Sequence, residues 1–318
     1  MTLKILFMGT PDFAAATLKK IIEAGHEVIG VVTQPDKQKG RSQTVSFSPV
    51  KELAIEHGLT VYQPVKVRDA EFLQIVKELE PAVIIVAAFG QILPKALLNI
   101  PPFGCINVHG SLLPKYRGAA PIQYSIIDGE AETGITIMYM DVGIDTGDMI
   151  LQEKTPITAE ETGGSLFDKM AILGAELLLK ALQQIEAGTA IRVPQDNEKA
   201  TYVKMLDKDM GKIDFTQPAV KLERMIRGLN PWPSAYTFLD GKTLKLWQAK
   251  VELKSAADEN NSIVAVSGEV VEIRKDSLVV MTGEGVLVIQ ELQLEGKKRM
   301  MADAFLRGYT VMVGTKLG

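Results

Sequence analysis

Two polar residues two positions apart, Asn107 and His109, close a segment that is predicted to be a β-strand. Residues 104–108 follow an apolar, β-branched run at residues 82–87, and both segments are typical of buried parallel strands. Side chains alternate along a strand, so Asn107 and His109 should point to the same side of the sheet. Ligands of open α/β sheets bind at the carboxyl ends of the strands, which makes this pair a candidate site.

A third candidate, Asp145, lies in a segment rich in glycine and aspartate. Residues 141–148 read Asp-Val-Gly-Ile-Asp-Thr-Gly-Asp, a composition typical of a tight turn between strands. Such a turn could place the Asp145 carboxylate against the His109 imidazole. Asn and His can stabilise an oxyanion, while Asp orients the His and takes up protons, so the three groups suit acyl transfer to an amine. An Asn-x-His pair alone could also be an ordinary strand end, and the third group favours chemistry.

The residues around this pair resemble the folate-dependent formyltransferases. The resemblance rests on Asn-x-His-x-Ser-Leu-Leu-Pro at residues 107–114 and on Asp-Thr-Gly at residues 145–147. It implies that Asn107, His109 and Asp145 are the catalytic set. The family often has Arg-Trp where this chain has Lys115-Tyr116, a difference that keeps the charge and the aromatic ring. By the same resemblance, the residues that lie along the folate are Ser111, Leu112, Leu113 and Pro114.

A second segment should contribute to the same pocket. Residues 88–94 leave the carboxyl end of the strand predicted at 82–87. They could wall an apolar pocket, although ordinary loop packing is an equal alternative. The residues assigned to the folate pocket here are Phe89, Gly90, Gln91 and Ile92.

Composition sets limits on the class of protein. The chain has 318 residues, 46% of them hydrophobic, and no run of eighteen apolar residues, so no membrane span is expected. Cys105 is the only cysteine, which rules out an internal disulfide, and the three histidines are too far apart for a predicted metal site. The first residues enter a strand directly, without a secretory cleavage pattern. We therefore expect a cytoplasmic, monomeric protein without a metal.

The pattern of elements predicts an α/β fold in two parts. A Rossmann-like open sheet of mostly parallel strands should occupy residues 1–188. Gly9 stands alone after the first strand, where dinucleotide binding needs Gly-x-Gly-x-x-Gly, so NAD binding is not expected. A polar linker is predicted at 189–207. Short strands and turns at 208–318 then favour a small OB-like β-barrel.

Positive charge is concentrated in two places. The loop at 33–47 is long for a βα connection, and it is either a solvated loop or a basic finger that orders on a polyanion. Residues 191–318 contain 19 Lys and Arg against 17 Asp and Glu, a charge of +2, which leaves −6 for the rest of a chain whose net charge is −4. The cations assigned to nucleic-acid binding are Lys37, Lys39 and Arg41 in the finger and Lys245, Lys297, Lys298 and Arg299 in the barrel.

The resemblance covers the full length only for the members of the family that act on tRNA. It implies that the donor is 10-formyltetrahydrofolate and the acceptor is the amino group of methionyl initiator tRNA, in translation initiation. The loop with Arg41 would then lie at the acceptor stem, and the barrel along the tRNA. Two alternatives stay open: a formyltransferase that uses the same triad on a nucleotide-linked amino sugar or another small amine, and a nucleic-acid-binding protein on an inactive enzyme core.

Overall fold

A computed structural model of the protein describes residues 3–39, 44–253 and 266–318. The chain divides into two compact units. The first comprises Met1–Pro121, Glu132–Pro156 and Phe167–Lys204, and the second comprises Ile122–Ala131, Ile157–Leu166 and Met205–Gly318. Two short segments from the middle of the sequence therefore belong to the second unit, and most of the predicted linker at 189–207 belongs to the first.

The elements of the chain follow in sequence order. The strands are β1 (Lys4–Gly9), β2 (Glu27–Val32), β3 (Lys37–Lys39), β4 (Thr44–Ser46), β5 (Val61–Tyr62), β6 (Val83–Ala87), β7 (Cys105–His109), β8 (Arg117–Gly118), β9 (Glu132–Tyr139), β10 (Met149–Pro156), β11 (Tyr202–Val203), β12 (Ala235–Leu239), β13 (Lys242–Glu252), β14 (Val270–Ile273), β15 (Leu278–Met281), β16 (Val286–Leu294) and β17 (Met300–Met301). The helices are α1 (Asp12–Glu23), α2 (Pro49–Glu56), α3 (Ala70–Leu79), α4 (Lys95–Leu98), α5 (Pro121–Ile127), α6 (Gly163–Glu186), α7 (Ala219–Gly228) and α8 (Ala302–Gly308). None of the helices within the described ranges has the length and apolar character needed to cross a bilayer.

The first unit is built on a seven-stranded sheet in the order β10-β9-β7-β6-β1-β2-β5. The pairs β7–β6, β6–β1, β1–β2 and β2–β5 are parallel, whereas β9 pairs antiparallel with both β7 and β10. The predicted open, mostly parallel sheet is confirmed. Because β1, β6 and β7 are parallel neighbours, their carboxyl ends lie side by side at one edge, where ligands of such sheets bind.

Burial explains why these segments form the centre of the sheet. All five residues of β6 and all five of β7 are buried, as expected of parallel strands that are covered on both faces. Gly9 ends β1 where α1 and β6 come close to its backbone, since a Cβ there would lie 2.5 Å from the Cβ of Ala14 and 2.9 Å from the Ala87 oxygen. The lone glycine is thus needed for packing between β1, α1 and β6.

The second unit is an antiparallel sheet in the order β12-β13-β16-β15-β14, with β17 paired to β16. The predicted C-terminal antiparallel strands are confirmed. Asp240 and Gly241 form the two-residue turn between β12 and β13, and both have positive φ, as a primed hairpin turn requires. One face of the sheet packs on α7 and α8 through a core that includes Leu222, Ile226 and Phe305.

Candidate active site

The strand β7 carries Asn107 and His109 to the edge of the sheet. Asn107 lies opposite Val86 of β6 and Met138 of β9, and His109 lies opposite Thr136 of β9. Both side chains are buried, with 8% and 5% of the residue surface exposed. His109 is the last residue of the strand, one position further than the sequence predicted, so its ring orientation is fixed by the sheet as well as by the following loop.

The turn after β9 brings Asp145 to these two residues. Asn107 Nδ2 donates a hydrogen bond to Asp145 Oδ1 at 3.3 Å, and His109 Nδ1 lies 3.7 Å from Asp145 Oδ2. The backbone N–H of Gly118 donates to Asp145 Oδ2 at 2.9 Å. The contact between Asp145 and His109 that the sequence predicted is therefore present, and the Gly118 donor is a further feature.

The imidazole of His109 has a defined orientation. Its Nε2 lies 2.9 Å from the backbone oxygen of Tyr116, which can only accept a hydrogen bond, so Nε2 carries a proton. Tyr116 is in turn held by its N–H, which donates to Thr201 Oγ1 at 2.8 Å. Nδ1 is therefore the ring nitrogen that faces Asp145 and can exchange a proton there.

The arrangement of the three groups suits the stabilisation of an oxyanion beside a proton acceptor. Asn107 Nδ2 is an N–H donor, and His109 Nδ1 becomes a second donor when the ring is protonated. Such donors act strongly when they are fixed and shielded from water. Asp145 lies beside both of them, so it can balance the charge of a protonated imidazole and accept a proton.

The loop at residues 111–114 is pinned to the antiparallel edge of the sheet. Thr136 Oγ1 donates to the backbone oxygen of Ser111 at 2.6 Å and accepts from the N–H of Leu113 at 3.1 Å. Gln152 Nε2 donates to the backbone oxygen of Leu113 at 2.9 Å. Ser111 is fully buried and its hydroxyl donates to the Lys115 oxygen at 2.6 Å, so that side chain serves the loop itself. The half-buried side chains of the segment are Leu112 and Pro114.

Some residues of the segment at 89–92 pack against the protein, and others are exposed to solvent. Phe89 is buried in the core of the sheet, and its backbone oxygen accepts from Gln34 Nε2 at 3.0 Å. Gln91 Oε1 accepts from the N–H of Val67 at 3.0 Å. Gly90 is exposed with a φ of 82°, and Ile92 is 77% exposed. Two of the four predicted residues therefore hold the loop, and Gly90 and Ile92 are the two that a ligand can reach.

The predicted basic finger contains a short hairpin, in which β3 pairs antiparallel with β4. Lys37 and Lys39 belong to β3, and Arg41 lies outside the described residues. Sequence reasoning treated this segment as a loop without regular structure. The reason is the length of these strands, because three residues are too few to show an alternating pattern.

Two of the four barrel cations lie beside one tryptophan. Lys245 Nζ is 5.7 Å and Arg299 Cζ is 4.6 Å from the centre of the Trp247 ring. Arg299 also forms two hydrogen bonds to the Glu291 carboxylate, at 2.8 and 2.5 Å. Lys297 and Lys298 are exposed in the turn that leads to Arg299. The structure thus brings Lys245 and Arg299 together, and it pairs Arg299 with a carboxylate that sequence reasoning did not identify.

Within the described residues, no group of three or more His, Cys, Asp or Glu side chains is arranged to hold a metal ion. The only cysteine, Cys105, is buried at the start of β7, and desolvation raises the pKa of its thiol to about 12.

Family models cover both parts of the chain. One described as formyl transferase matches residues 3–182, and one described as formyl transferase, C-terminal domain, matches residues 205–310. The chain belongs to the formyl transferase family. This result confirms the resemblance that the sequence motifs carried.

Relatives in this family match the whole chain. A methionyl-tRNA formyltransferase of Lachnospira eligens is 53% identical over 316 residues, which are 99% of this chain and 100% of the relative. A methionyl-tRNA formyltransferase of Geobacter sulfurreducens is 49% identical and covers 99% of this chain and 97% of the relative.

Solved structures of two other proteins show the same fold. WlaRD, a sugar 3N-formyl transferase, is 20% identical with a TM-score of 0.66 and covers 94% of this chain and 100% of its own. HypX of Aquifex aeolicus in complex with tetrahydrofolic acid is 18% identical with a TM-score of 0.63, and the match covers 97% of this chain and 47% of HypX.

Proposed function

We propose that the protein transfers the formyl group of 10-formyltetrahydrofolate to the free amino group of methionyl initiator tRNA, in translation initiation. The observation that carries the proposal is the convergence of three side chains at the carboxyl end of β7, where Asn107 Nδ2 lies 3.3 Å and His109 Nδ1 3.7 Å from the Asp145 carboxylate. Full-length similarity to methionyl-tRNA formyltransferases, at 53% identity for the relative from Lachnospira eligens, supports this acceptor over a small amine.

The reaction requires one bond to form and one to break. The amine nitrogen bonds to the formyl carbon, the bond from that carbon to the folate nitrogen breaks, and a proton moves from the attacking nitrogen to the leaving one. Asn107 Nδ2 and the protonated Nδ1 of His109 donate to the formyl oxygen as negative charge develops on it. Asp145 orients the imidazole, accepts the proton of the attacking amine and passes it to the leaving folate nitrogen.

The residues near this site fit a folate as the donor. Leu112, Pro114 and Ile92 offer apolar side chains, and Gly90 leaves its backbone open to a ligand. A pterin needs such apolar walls together with backbone donors and acceptors that fix its orientation. The buried residues Ser111, Leu113 and Phe89, together with the half-buried Gln91, contribute by holding the two loops in place.

The tRNA is proposed to bind through cations that act locally. Lys297 and Lys298 are exposed and are suited to phosphates, and Lys245 is half-buried beside the Trp247 ring. Lys37, Lys39 and Arg41 are proposed to meet the acceptor stem. Local clusters of this kind are compatible with a net charge of −4.

We further propose a monomer in the cytoplasm, which size-exclusion chromatography with light scattering and cell fractionation would test. A single buried cysteine, which cannot form an internal disulfide, is in keeping with a reducing compartment.

The acceptor is tested by supplying 10-formyltetrahydrofolate with three amines in parallel: charged initiator tRNA, methionine charged on elongator tRNA, and a nucleotide-linked amino sugar. We expect formylation of the initiator tRNA with a kcat/KM well above that of the elongator, and none of the sugar. Transfer to the sugar alone would establish the small-amine alternative. Binding of tRNA without any turnover would establish a nucleic-acid-binding protein on an inactive core.

A further inference from the structure

A buried cation lies next to the candidate site. Arg117 follows the loop at 111–114, and only 1% of its surface is exposed. Its guanidinium donates to neutral groups: to Gln195 Oε1 from Nε at 3.1 Å and from Nη2 at 2.8 Å, to Asn197 Oδ1 at 2.8 Å, and to the Tyr202 hydroxyl at 3.0 Å. A buried charge that is held by neutral groups fixes their orientation strongly, because each hydrogen bond is charge-assisted.

Gln195 connects this cation to the turn that carries Asp145. Its Oε1 accepts the two bonds from Arg117, and its Nε2 donates to the backbone oxygens of Asp145 and Gly147, each at 2.8 Å. The amide therefore uses its acceptor on the guanidinium and both of its donors on the turn. A carboxylate in the same position could bind the guanidinium but could not donate to the turn.

The backbone of Asp145 needs such support. Its φ is 52°, in the left-handed region that an aspartate adopts only at a cost of about 1–2 kcal/mol. The conformation persists when surrounding contacts fix it. Two neighbouring residues supply those contacts, one at the backbone of Asp145 and one at its side chain. The Arg117 side chain acts on the backbone through Gln195, and the Gly118 N–H donates to the carboxylate at 2.9 Å.

We propose that Gln195 and Arg117 are positioning residues for formyl transfer, which hold the Asp145 turn so that its carboxylate stays against His109 and Asn107. The inference rests on the proposed function, because it assigns a role to residues that support the same site. Neither residue touches the reacting atoms, so their removal should lower kcat while the KM for folate changes little.

Two charge-matched variants separate positioning from general stability. Gln195→Glu keeps an acceptor for Arg117 but removes both donors to the turn, whereas Asn197→Asp places the same charge on the same guanidinium without touching the turn. We expect Gln195→Glu to lower kcat by about 10- to 100-fold, the range that a small displacement of a reacting group causes. Asn197→Asp should lower kcat by less than about threefold. Circular dichroism and thermal melting must show both variants folded.

A double-mutant cycle with Asp145→Asn shows whether Gln195 acts through Asp145. Single-turnover rates are measured for the wild type, the two single variants and the double variant. Formylation by the wild type tests the proposed function, and the loss in Asp145→Asn tests the site, before the cycle is interpreted. We expect Gln195→Glu to cost less than about twofold in the Asp145→Asn background.

The inference would be overturned if Gln195→Glu slowed formyl transfer by the same factor in the wild-type and Asp145→Asn backgrounds. It would also be overturned if Gln195→Glu and Asn197→Asp had the same kcat. Should Gln195→Glu fail to fold, the double variant Arg117→Met/Gln195→Met removes the buried charge together with its main partner and leaves the turn without its donors. The same loss of kcat and the same dependence on Asp145 are expected of it. Full activity of that folded variant would also overturn the inference.

Discussion

Asp145 is held by groups from three separate segments of the chain. Asn107 on β7 and Gly118 on β8 donate to its oxygens, and Gln195 binds its backbone. His109 is fixed in the same way, by the Tyr116 oxygen on Nε2. The proton-transfer groups are therefore oriented before substrate binds, which reduces the reorganisation that the reaction needs.

Cys105 lies two residues before Asn107 and offers a pH test of the burial at this strand. Because desolvation raises the pKa of its thiol from 9.0 to about 12, the thiolate fraction at pH 8 is about a thousandfold lower than for an exposed thiol. We expect the native protein to react with a chromogenic disulfide reagent no faster than it unfolds, and one thiol to appear on denaturation.

The rate of modification of Cys105 should vary little between pH 7 and 9, because it is limited by unfolding of the native protein and not by the thiolate fraction. Rapid modification of the folded protein at pH 8, at the rate of a free thiol in the same buffer, would contradict the burial. Cys105→Ala supplies the blank for any reaction at other side chains.

The sequence predicted the three side chains that the structure brings together, but not the groups that orient them. Asn107 and His109 follow from the alternation of a strand, and Asp145 from the composition of a turn. The Tyr116 oxygen and the Gly118 N–H are backbone groups, which any sequence provides, and their positions depend on the path of a loop. Gln195 lies in a polar segment without apolar period, so no local signal distinguished it from a linker.

The base of the basic finger is clamped by one lysine. Asp36 immediately precedes β3 and Phe47 immediately follows β4; Lys51 on α2 pairs with the Asp36 carboxylate at 2.5 Å and lies 4.0 Å from the centre of the Phe47 ring. Gln63 Nε2 also donates to Asp36, at 2.9 Å. One ammonium thus joins both ends of the finger to α2.

We expect Lys51→Met to raise the KM for initiator tRNA by about 3- to 10-fold, which corresponds to roughly 1 kcal/mol, while leaving folate binding unchanged. The reason is that the finger loses its fixed base and must be ordered when tRNA binds. Lys180→Met is a suitable control, since it also removes a lysine from an ion pair, with Glu153 at 3.0 Å, on a different helix. An equal rise of the KM for tRNA in both variants would mean that the loss of any positive charge weakens tRNA binding, and it would contradict a specific role for Lys51.

The effect of Lys51 should not vary with pH between 6 and 8. Hydrogen bonds from Lys51 and then Gln63 lower the pKa of the Asp36 carboxyl below 3.8. A carboxyl with a depressed pKa contributes stability that is present above about pH 4 and is lost as the pH falls through its folded value. The ratio of KM values for Lys51→Met and wild type should therefore stay constant over the assay range.

At the level of elements, the long periodic segments were predictable and the short ones were not. The helix predicted at 165–186 is α6, Gly163–Glu186, and Met170, Leu177 and Ala181 of its apolar stripe are buried. The two-residue strands β8 and β11 pair with each other across 85 positions of sequence. Such short strands form because a distant partner is present, so the sequence alone carries no pattern for them.

At the scale of the whole molecule, the phosphate contacts are proposed to lie largely in the second unit and the chemistry in the first. Lys297→Gln and Lys298→Gln each remove one exposed cation from the turn that leads to Arg299. Each should weaken tRNA binding and lower the salt slope of log K by about 0.7–0.9 if the lysine neutralises one phosphate. Lys19→Gln, on the exposed face of α1, is the matched control and should leave the slope unchanged.

Binding measured by fluorescence anisotropy across a range of salt concentrations decides this point. A slope that stays at the wild-type value in both variants would remove Lys297 and Lys298 from the proposed tRNA surface. Folate binding serves as the check that each variant retains the first unit intact.

The first unit extends further along the chain than the sequence-based boundary at 188. Residues 195–203 contact Arg117 and the Asp145 turn, so a protein ending at 188 would lose Gln195 and leave the buried guanidinium without its acceptors. Leaving a buried donor without its acceptor costs about 1–3 kcal/mol, and more for a charged group. Charge counts and composition placed the domain boundary near residue 190, but they could not show that the residues just after this boundary pack against the site.

The most direct test of the central claim is the single-turnover rate of formyl transfer to methionyl initiator tRNA in Asn107→Ala and Asp145→Asn, beside Asn99→Ala. Asn99 is an exposed asparagine of the first unit and serves as the control. We predict that both site variants bind folate normally and transfer the formyl group about 10²- to 10³-fold more slowly than the wild type, as expected for the loss of an oxyanion donor or its charged partner, while Asn99→Ala keeps the wild-type rate. Transfer at near-normal rates by either folded site variant would contradict the account.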